Sequence, residues 1–146
     1  MAQDAQNDGS RPSPARTETE DALSERKKIL LVDDSSTVLL FEKMVLSKEP
    51  YDLVVAKDGQ EGVEKALSER PHLILMDVMM PRMDGVEACR QIRSRGEIAR
   101  TPVILVTTRG EPESVASGRA AGCTDYVTKP IDPAELLSKV KALIAA

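Results

Sequence analysis

The sequence is poor in cysteine and has no long apolar stretch. Its two cysteines, Cys89 and Cys123, lie far apart and outside any C-x-x-C or Cys/His spacing, which excludes a disulfide framework or a zinc site of the usual kinds. No apolar run approaches the roughly 20 residues of a membrane span, and the N-terminus is polar. We therefore expect a soluble, cytoplasmic protein with reduced thiols.

Charge of one sign is not in strong excess either. The 20 Lys and Arg residues against 24 Asp and Glu residues give a net charge of −4, which provides no overall attraction to nucleic acid or anionic lipid. The 146 residues fit one domain with a substantial core. We expect proteins or small ions as partners, without direct nucleic-acid binding or membrane insertion.

Residues 1–26 differ in composition from the rest of the chain. They are rich in Asp, Glu, Gln, Ser, Pro and Arg, and Leu23 is their only large aliphatic residue after Met1. Such a segment cannot bury enough apolar surface to offset its conformational entropy. We predict a disordered N-terminal tail over 1–26, with a docking segment as the alternative, and a folded domain over 27–146.

The predicted strands of that domain are short aliphatic segments. Residues 29–32, 53–56, 73–76 and 103–106 are almost unbroken apolar runs, and 126–127 is a shorter fifth candidate. Runs of this kind, which do not alternate with polar residues, are typical of strands buried on both faces in a parallel sheet covered by helices.

The segments between these strands begin with helix-capping signals. Asp58, Asp84 and Asp132 each stand three residues before a glutamate, and this spacing predicts a capping box at the start of a helix. Ser35 or Ser36 caps a further helix that runs to about Lys48. A weaker one opens at Glu111-Pro112 and reaches about Ala121, with Gly122 as its stop.

Five strands and five helices then alternate, which favours an α/β fold with a doubly wound parallel sheet. Ligands of such sheets bind beyond the carboxyl ends of the strands. The polar residues found where the apolar runs stop are Asp33, Asp34, Asp77, Thr107 with Thr108, and Lys129.

Three carboxylates at one sheet edge repel each other unless a cation neutralises them. Oxygen ligands without a nearby His or Cys favour Mg²⁺. With such a metal, Asp77 can act as a nucleophile toward phosphorus and form an acyl phosphate, while the Lys129 ammonium and a threonine hydroxyl neutralise phosphoryl oxygens.

These residues stand in recognisable motifs: LVDD at 31–34, MDVMMPRMDG at 76–85, VT at 106–107 and YVTKP at 126–130. From about residue 27 to 145 the chain closely resembles the receiver domain of two-component response regulators, in its single-domain form similar to the bacterial chemotaxis regulator. The resemblance implies a flavodoxin-like, five-stranded sheet of order 2-1-3-4-5 with five helices. It also implies a signalling protein that promotes only its own phosphorylation and dephosphorylation.

The resemblance assigns roles to single residues. Asp77 is the phospho-acceptor, served by Lys129 and Thr107, and its donor is a phosphohistidine of a sensor histidine kinase or of a histidine phosphotransfer protein. Mg²⁺ is held by Asp33, Asp34, Asp77 and the backbone carbonyl of Met79.

The resemblance also describes an output. Thr107 and Tyr126 form the switch pair, and the Lys129–Pro130 peptide is cis. The changed surface comprises the fourth helix, the fifth strand and the fifth helix, with Ser114, Ser117, Arg119 and Lys139 as candidate contributors. The chain ends soon after the fifth helix, so we expect the output to pass to an unknown downstream protein.

Simpler interpretations remain for single residues. Asp33 and Asp34 could merely cap a helix, Asp77 could be a turn residue, and Thr108 stands beside Thr107. The functional alternatives are a phosphate relay or sink and a phosphorylation-independent interaction module on the same fold. A phosphatase typically needs Asp-x-Asp, whereas residues 77–79 read Asp-Val-Met. Nucleotide binding lacks its glycine-rich motif.

Two residues flank the predicted site and bear on how long a phosphoryl group survives. Met79 lies two residues after the acceptor, and Arg109 lies two residues after Thr107. We hypothesise that the apolar Met79 and the bulky Arg109 hinder the water that would hydrolyse the acyl phosphate.

Overall fold

Strands and helices alternate in the computed structural model, which describes residues 26–108 and 112–145. The predicted tail lies outside these residues apart from Arg26. The strands are β1 Lys28–Val32, β2 Asp52–Ala56, β3 Leu73–Asp77, β4 Val103–Thr108 and β5 Asp125–Lys129. The helices are α1 Ser36–Leu46, α2 Gly59–Glu69, α3 Gly85–Arg93, α4 Pro112–Ala120 and α5 Pro133–Ala145, with a 3₁₀ turn at Gly96–Ile98.

The five strands form one parallel sheet of order β2-β1-β3-β4-β5, which confirms the predicted order. Each face carries its own apolar layer. Leu39 of α1 and Leu136 of α5 belong to the layer on one face. Val63 of α2 and Ile92 of α3 belong to the layer on the other. The doubly wound architecture is therefore confirmed, and the order reverses between β1 and β3, where a ligand site is expected.

Strand β2 differs from the prediction of burial on both faces. Its residues Leu53, Val54 and Val55 are only half-buried, whereas Leu73 to Met76 of the central strand β3 are fully buried. The reason is position, since β2 is an edge strand and pairs only with β1. An apolar run alone does not distinguish an edge strand from a central one.

The predicted helix starts agree with the structure. The side chains of Ser35, Asp58 and Asp84 each accept a hydrogen bond from the backbone N–H three residues on. Helix α1 ends at Leu46, two residues before the predicted Lys48. After α4 the chain turns at Gly122 with a φ of 99°, a conformation that favours glycine.

None of the helices among residues 26–108 and 112–145 combines the length and hydrophobicity needed to cross a bilayer. Cys89 and Cys123 are free thiols, as predicted.

The guanidinium of Arg93, at the end of α3, joins several backbone segments at the amino-terminal end of β4. It donates to the carbonyl oxygens of Gly122 at 2.8 Å, Thr101 at 2.6 Å and Ala99 at 3.2 Å, and to Thr124 Oγ1 at 3.3 Å. Hydrogen bonds to a charged group are worth more than neutral ones, and the planar fork of arginine suits several acceptors at once. Arg93 therefore stabilises the connection between α3, β4 and the start of β5.

We predict that Arg93→Met lowers the free energy of unfolding by about 2 kcal/mol, because partly buried carbonyl groups lose a charged donor. Arg93→Lys should recover only part of this loss, since an ammonium cannot reproduce the fork. Urea unfolding measures both, with Arg100→Met as the control at an exposed arginine. Equal midpoints for Arg93→Met and Arg100→Met would contradict the prediction.

Candidate functional site

The polar residues predicted to follow the strands lie at their carboxyl ends. Asp33 and Asp34 come directly after β1, as expected, but Asp77, Thr107 and Lys129 lie inside β3, β4 and β5. The strands are longer than their apolar runs because backbone pairing does not depend on side-chain polarity: Asp77 is still in register with Val106.

Three carboxylates meet at this edge. One oxygen from each of Asp33, Asp34 and Asp77 can be chosen so that all three lie within 4.8 Å of one another. Asp33 and Asp77 are buried, with exposed fractions of 0% and 3%, whereas Asp34 is exposed. The cluster therefore has a closed side in the sheet and an open side toward solvent.

Lys129 supplies the positive charge of the cluster. Its Nζ lies 2.9 Å from Asp77 Oδ1 and 3.8 Å from Asp33 Oδ2, so one ammonium contacts two of the three acids. The Lys129–Pro130 peptide bond is cis.

Burial dominates the electrostatics of the acids. It raises the pKa of Asp77 to about 6 in spite of the hydrogen bond from Lys129. Burial also raises the pKa of Asp33, although the Ser35 N–H and Lys129 act in the opposite direction. Burial alone would lower the pKa of Lys129, but its hydrogen bond to Asp77 and the nearby acidic charges raise it above its ordinary value. One lysine thus does not neutralise the cluster.

A divalent cation fits this donor set. Asp33 Oδ2 is buried without a hydrogen-bond partner in the described chain, so a carboxylate oxygen remains available to a ligand. Hard carboxylate donors suit Mg²⁺, and a cation would offset both the burial and the mutual repulsion that raise the pKa values of Asp33 and Asp77. Met79, the fourth predicted contributor, follows β3 with a side chain that is 64% exposed.

Close packing fixes the loop that carries Met79. A Cβ atom at Gly85 would collide with the backbone carbonyl oxygen of Asp77, so only glycine allows α3 to start this near Asp77. Arg82 has a φ of 67° and forms an ion pair with Asp58, the N-cap of α2. The loop is thereby attached to α2 on one side and to β3 on the other.

The structure distinguishes the two candidate threonines. Thr107 is buried and its hydroxyl has no hydrogen-bond partner among the described residues, whereas Thr108 is exposed. Tyr126 is in register with Leu105, and side chains two residues apart on a strand share a face, so Tyr126 lies on the same face of the sheet as Thr107. The predicted switch pair is therefore placed on one side of the sheet.

The other predicted residues are dispersed. Arg119 and Ser117 are exposed on α4, and Ser114 and Lys139 are half-buried on α4 and α5. Arg109 lies outside the described residues.

Sequence reasoning missed Glu42. It lies on the inward face of α1 beside Leu39 and Val45, is 1% exposed, and has an Oε1 atom without a hydrogen-bond partner in the described part of the chain. Burial, with the charges of Asp33 and Asp77, raises its pKa to about 8. The signal was available, because a glutamate occupies a position where the helical period of α1 requires an apolar residue.

Sequence reasoning also missed an apolar surface on α1. Leu40 and Met44 are 59% and 63% exposed, and Phe41 is partly exposed beside them. Next to them is an open groove of about 340 Å³, lined by Thr37, Val38, Phe41, Lys129, Pro130 and Ile131. The groove therefore reaches the lysine of the acidic cluster.

Known proteins are similar to this chain in sequence. Residues 29–141 match the response regulator receiver domain. The chain is 38% identical over 118 residues to the alkaline phosphatase synthesis transcriptional regulatory protein PhoP of Bacillus subtilis, covering 81% of this chain and 48% of that protein. It is 37% identical over 118 residues to protein PilH of Pseudomonas aeruginosa, covering 81% of this chain and 98% of PilH.

A solved structure of a receiver domain is similar to this chain in fold. The receiver domain of sensor histidine kinase PA1611 of Pseudomonas aeruginosa, which has a magnesium ion coordinated in its active-site cleft, aligns with a TM-score of 0.75 and 31% identity over 83% of this chain and 99% of that one. The chain belongs to the response regulator receiver domain family of two-component signalling. It spans about half the length of several curated relatives that it matches.

The raised pKa of Glu42 predicts a pH-dependent loss of stability. The folded protein keeps the Glu42 proton up to about pH 8, whereas the unfolded chain releases it near 4.5. The folded state thus binds more protons between these values, and stability falls as pH rises through this window. We expect Glu42→Gln and Glu42→Leu to unfold at higher urea concentration than the parent, with a gap that grows to a few kcal/mol by pH 8.

Unfolding at pH 5, 6.5 and 8 measures this gap, and Glu64→Gln is the control at an exposed glutamate. A gap that does not change with pH would show that Glu42 is not held in its neutral form.

Proposed function

We propose that this chain is a phospho-acceptor of a two-component system, which receives a phosphoryl group on Asp77 from a phosphohistidine of a sensor kinase or of a phosphotransfer protein. The observation that carries the proposal is the buried Asp77 carboxylate, 2.9 Å from Lys129 Nζ and grouped with Asp33 and Asp34. This combination would supply a nucleophile, a cation site made of oxygen ligands and a lysine ammonium at one point.

Asp33, Asp34 and Asp77 would hold Mg²⁺, together with the backbone carbonyl of Met79. The ion supplies neutralisation of charge on the phosphoryl oxygens. An oxygen of the Asp77 carboxylate forms the new bond to phosphorus as the P–N bond to the donor imidazole breaks, and the nitrogen keeps the electron pair. Lys129 then transfers its hydrogen bond from Asp77 to a phosphoryl oxygen, which stabilises the transferred group.

The surface of α1 supports a protein donor. Leu40, Phe41 and Met44 form an exposed apolar area that continues into the groove beside Lys129. Exposed apolar area of this kind is typical of protein interaction sites. A phosphohistidine protein seated there would bring its imidazole close to the acidic cluster.

Thr107 and Tyr126 support a switch. The buried, unpartnered Thr107 hydroxyl would gain a partner in the phosphoryl group. Movement of Thr107 toward Asp77 would leave space on the face that it shares with Tyr126, and the ring could follow. The surface of α4, β5 and α5 would then change and be read by a partner protein. A relay or sink would use the same acceptor without this output.

We predict that Asp77→Asn abolishes Mg²⁺-dependent labelling by radioactive acetyl phosphate, because the amide is not a nucleophile toward phosphorus. Asp84→Asn is the matched control, since Asn also caps a helix and Asp84 lies in the same loop. Removing Mg²⁺ with a chelator should abolish labelling of the parent. Label that persists in Asp77→Asn would place the acceptor elsewhere, and a parent that is never labelled would favour the phosphorylation-independent module.

We further predict that Met79→Asn and Arg109→Glu each accelerate autodephosphorylation several-fold, because Asn replaces an apolar side chain and Glu replaces a bulkier one, and both would admit and orient the attacking water. Decay of labelled protein after removal of the donor measures the rate. Met44→Asn is the matched control at another exposed methionine. Rates no faster than the parent's would remove Met79 and Arg109 as lifetime modulators.

A further inference from the structure

The ring of Tyr126 lies within reach of two cations from different helices. Arg119 Cζ of α4 lies 5.4 Å from the ring centroid, and Lys139 Nζ of α5 lies 5.2 Å from it. Both distances are within the range of a cation–π interaction, which is about 6 Å. Tyr126 is in β5, the edge strand between these helices, so its ring joins α4 to α5.

Lys139 is held over the ring by several partners. Its Nζ donates to the backbone carbonyl oxygen of Tyr126 at 2.6 Å and to Asp125 Oδ1 at 3.3 Å, and it lies 3.5 Å from Glu135 Oε2. Asp125 Oδ1 also accepts from the Tyr126 N–H at 2.8 Å. The ammonium is thus fixed relative to the backbone of the residue whose ring it covers, which lowers the entropy cost of the contact.

We propose that Arg119 and Lys139 are positioning residues for Tyr126 and set the balance between its two ring positions. The inference rests on the proposed switch. Both cations attract the ring in the position seen here, and in the proposed switch a ring that moves toward Thr107 gives up these contacts. Because one cation–π interaction at an exposed site shifts an equilibrium by about two- to fivefold, removal of both cations should shift it by about four- to twenty-fivefold.

This arrangement connects the site to two surface elements. Departure of the ring would remove the cation–π contacts of Arg119 and Lys139 together, while Lys139 would keep its hydrogen bonds to the backbone carbonyl oxygen of Tyr126 and to Asp125. Helices α4 and α5 would lose a shared contact in the same event. The positions of charged groups on the α4–β5–α5 face would then change, while the net charge of its side chains stays the same. Contacts made in only one of two ring positions change the equilibrium between them, and the proposal assigns this effect to the two cation–π contacts.

NMR of the full chain labelled with ¹³C in the tyrosine rings tests the proposal, because the sequence has only two tyrosines. Tyr51, which packs against the opposite apolar layer, serves as the internal reference. Spectra are recorded with Mg²⁺ alone and with beryllofluoride as the phosphoryl mimic, for the parent, Arg119→Met, Lys139→Met and the double variant. Lys139→Arg keeps a cation at the ring, and Lys141→Met removes a lysine of α5 that pairs with Glu49.

We expect the Tyr126 signal of each methionine variant, without beryllofluoride, to move part of the way toward its position in the beryllofluoride-treated parent. The double variant should move furthest, and Lys139→Arg and Lys141→Met should stay with the parent. Tyr51 should not move. A Tyr126 signal that is the same in parent and methionine variants overturns the inference, as does an equal shift in Lys141→Met.

The outcomes also separate the inference from the proposed function. A parent whose Asp77 is labelled by acetyl phosphate but whose Tyr126 signal ignores beryllofluoride keeps the acceptor and overturns this inference. A parent that is never labelled fails the proposed function, and overturns the inference as well, because no switch is then left for the cations to balance.

Discussion

The carboxylates of Asp33, Asp34 and Asp77 are crowded into one partly closed corner at the carboxyl end of the sheet. The position and charge of the neighbouring residues depend on this crowding. Two of them are buried, and burial disfavours their charged forms. Lys129 contacts two acids at once, yet the pKa of Asp77 is still raised to about 6. The carboxylates are therefore not fully neutralised in the structure. Their negative potential would stabilise a divalent cation or an approaching lysine at this corner.

The parallel topology creates this corner and keeps it rigid. Strands β1 and β3 are central, fully covered by both apolar layers, and they end side by side at the point where the strand order reverses. Gly85 lets α3 approach the backbone of Asp77, and the ion pair between Arg82 and Asp58 attaches the same loop to α2. A carboxylate held in this way would need little reorganisation to act as the proposed phospho-acceptor.

The sequence was sufficient for those features that depend on local pattern. Aliphatic runs predicted the strands, and Asp58 and Asp84 predicted helix starts, because the period and the cap are properties of a few neighbouring residues. The half-buried state of β2 could not be predicted in this way, since it depends on which strands pair. The choice between Thr107 and Thr108 depended on resemblance alone.

The missed residues are those whose roles are fixed by distant partners. Arg93 binds carbonyl groups up to 29 positions away in sequence, and a lone arginine at a helix end resembles a solvated one. Glu42 was the exception, because its conflict with the apolar face of α1 is visible in the sequence. The contacts of Tyr126 with Arg119 and Lys139 join β5 to α4 and α5, and no spacing along the chain predicts them.

Three buried oxygen atoms lack a hydrogen-bond partner in the described chain, and they belong to Asp33, Glu42 and Thr107. A fold selected for stability alone would not keep such groups, because each unsatisfied buried polar atom costs about 1–3 kcal/mol. Asp33 and Thr107 lie at the acidic corner, and Glu42 interacts electrostatically with Asp33, Asp77 and Lys129. The unsatisfied groups are thus concentrated where a cation and a phosphoryl group would satisfy at least two of them. The unsatisfied oxygens at this corner thus offset part of the stability that the apolar layers provide. A ligand that forms hydrogen bonds or coordination bonds with them would remove this cost, and its binding would be stronger by the same free energy.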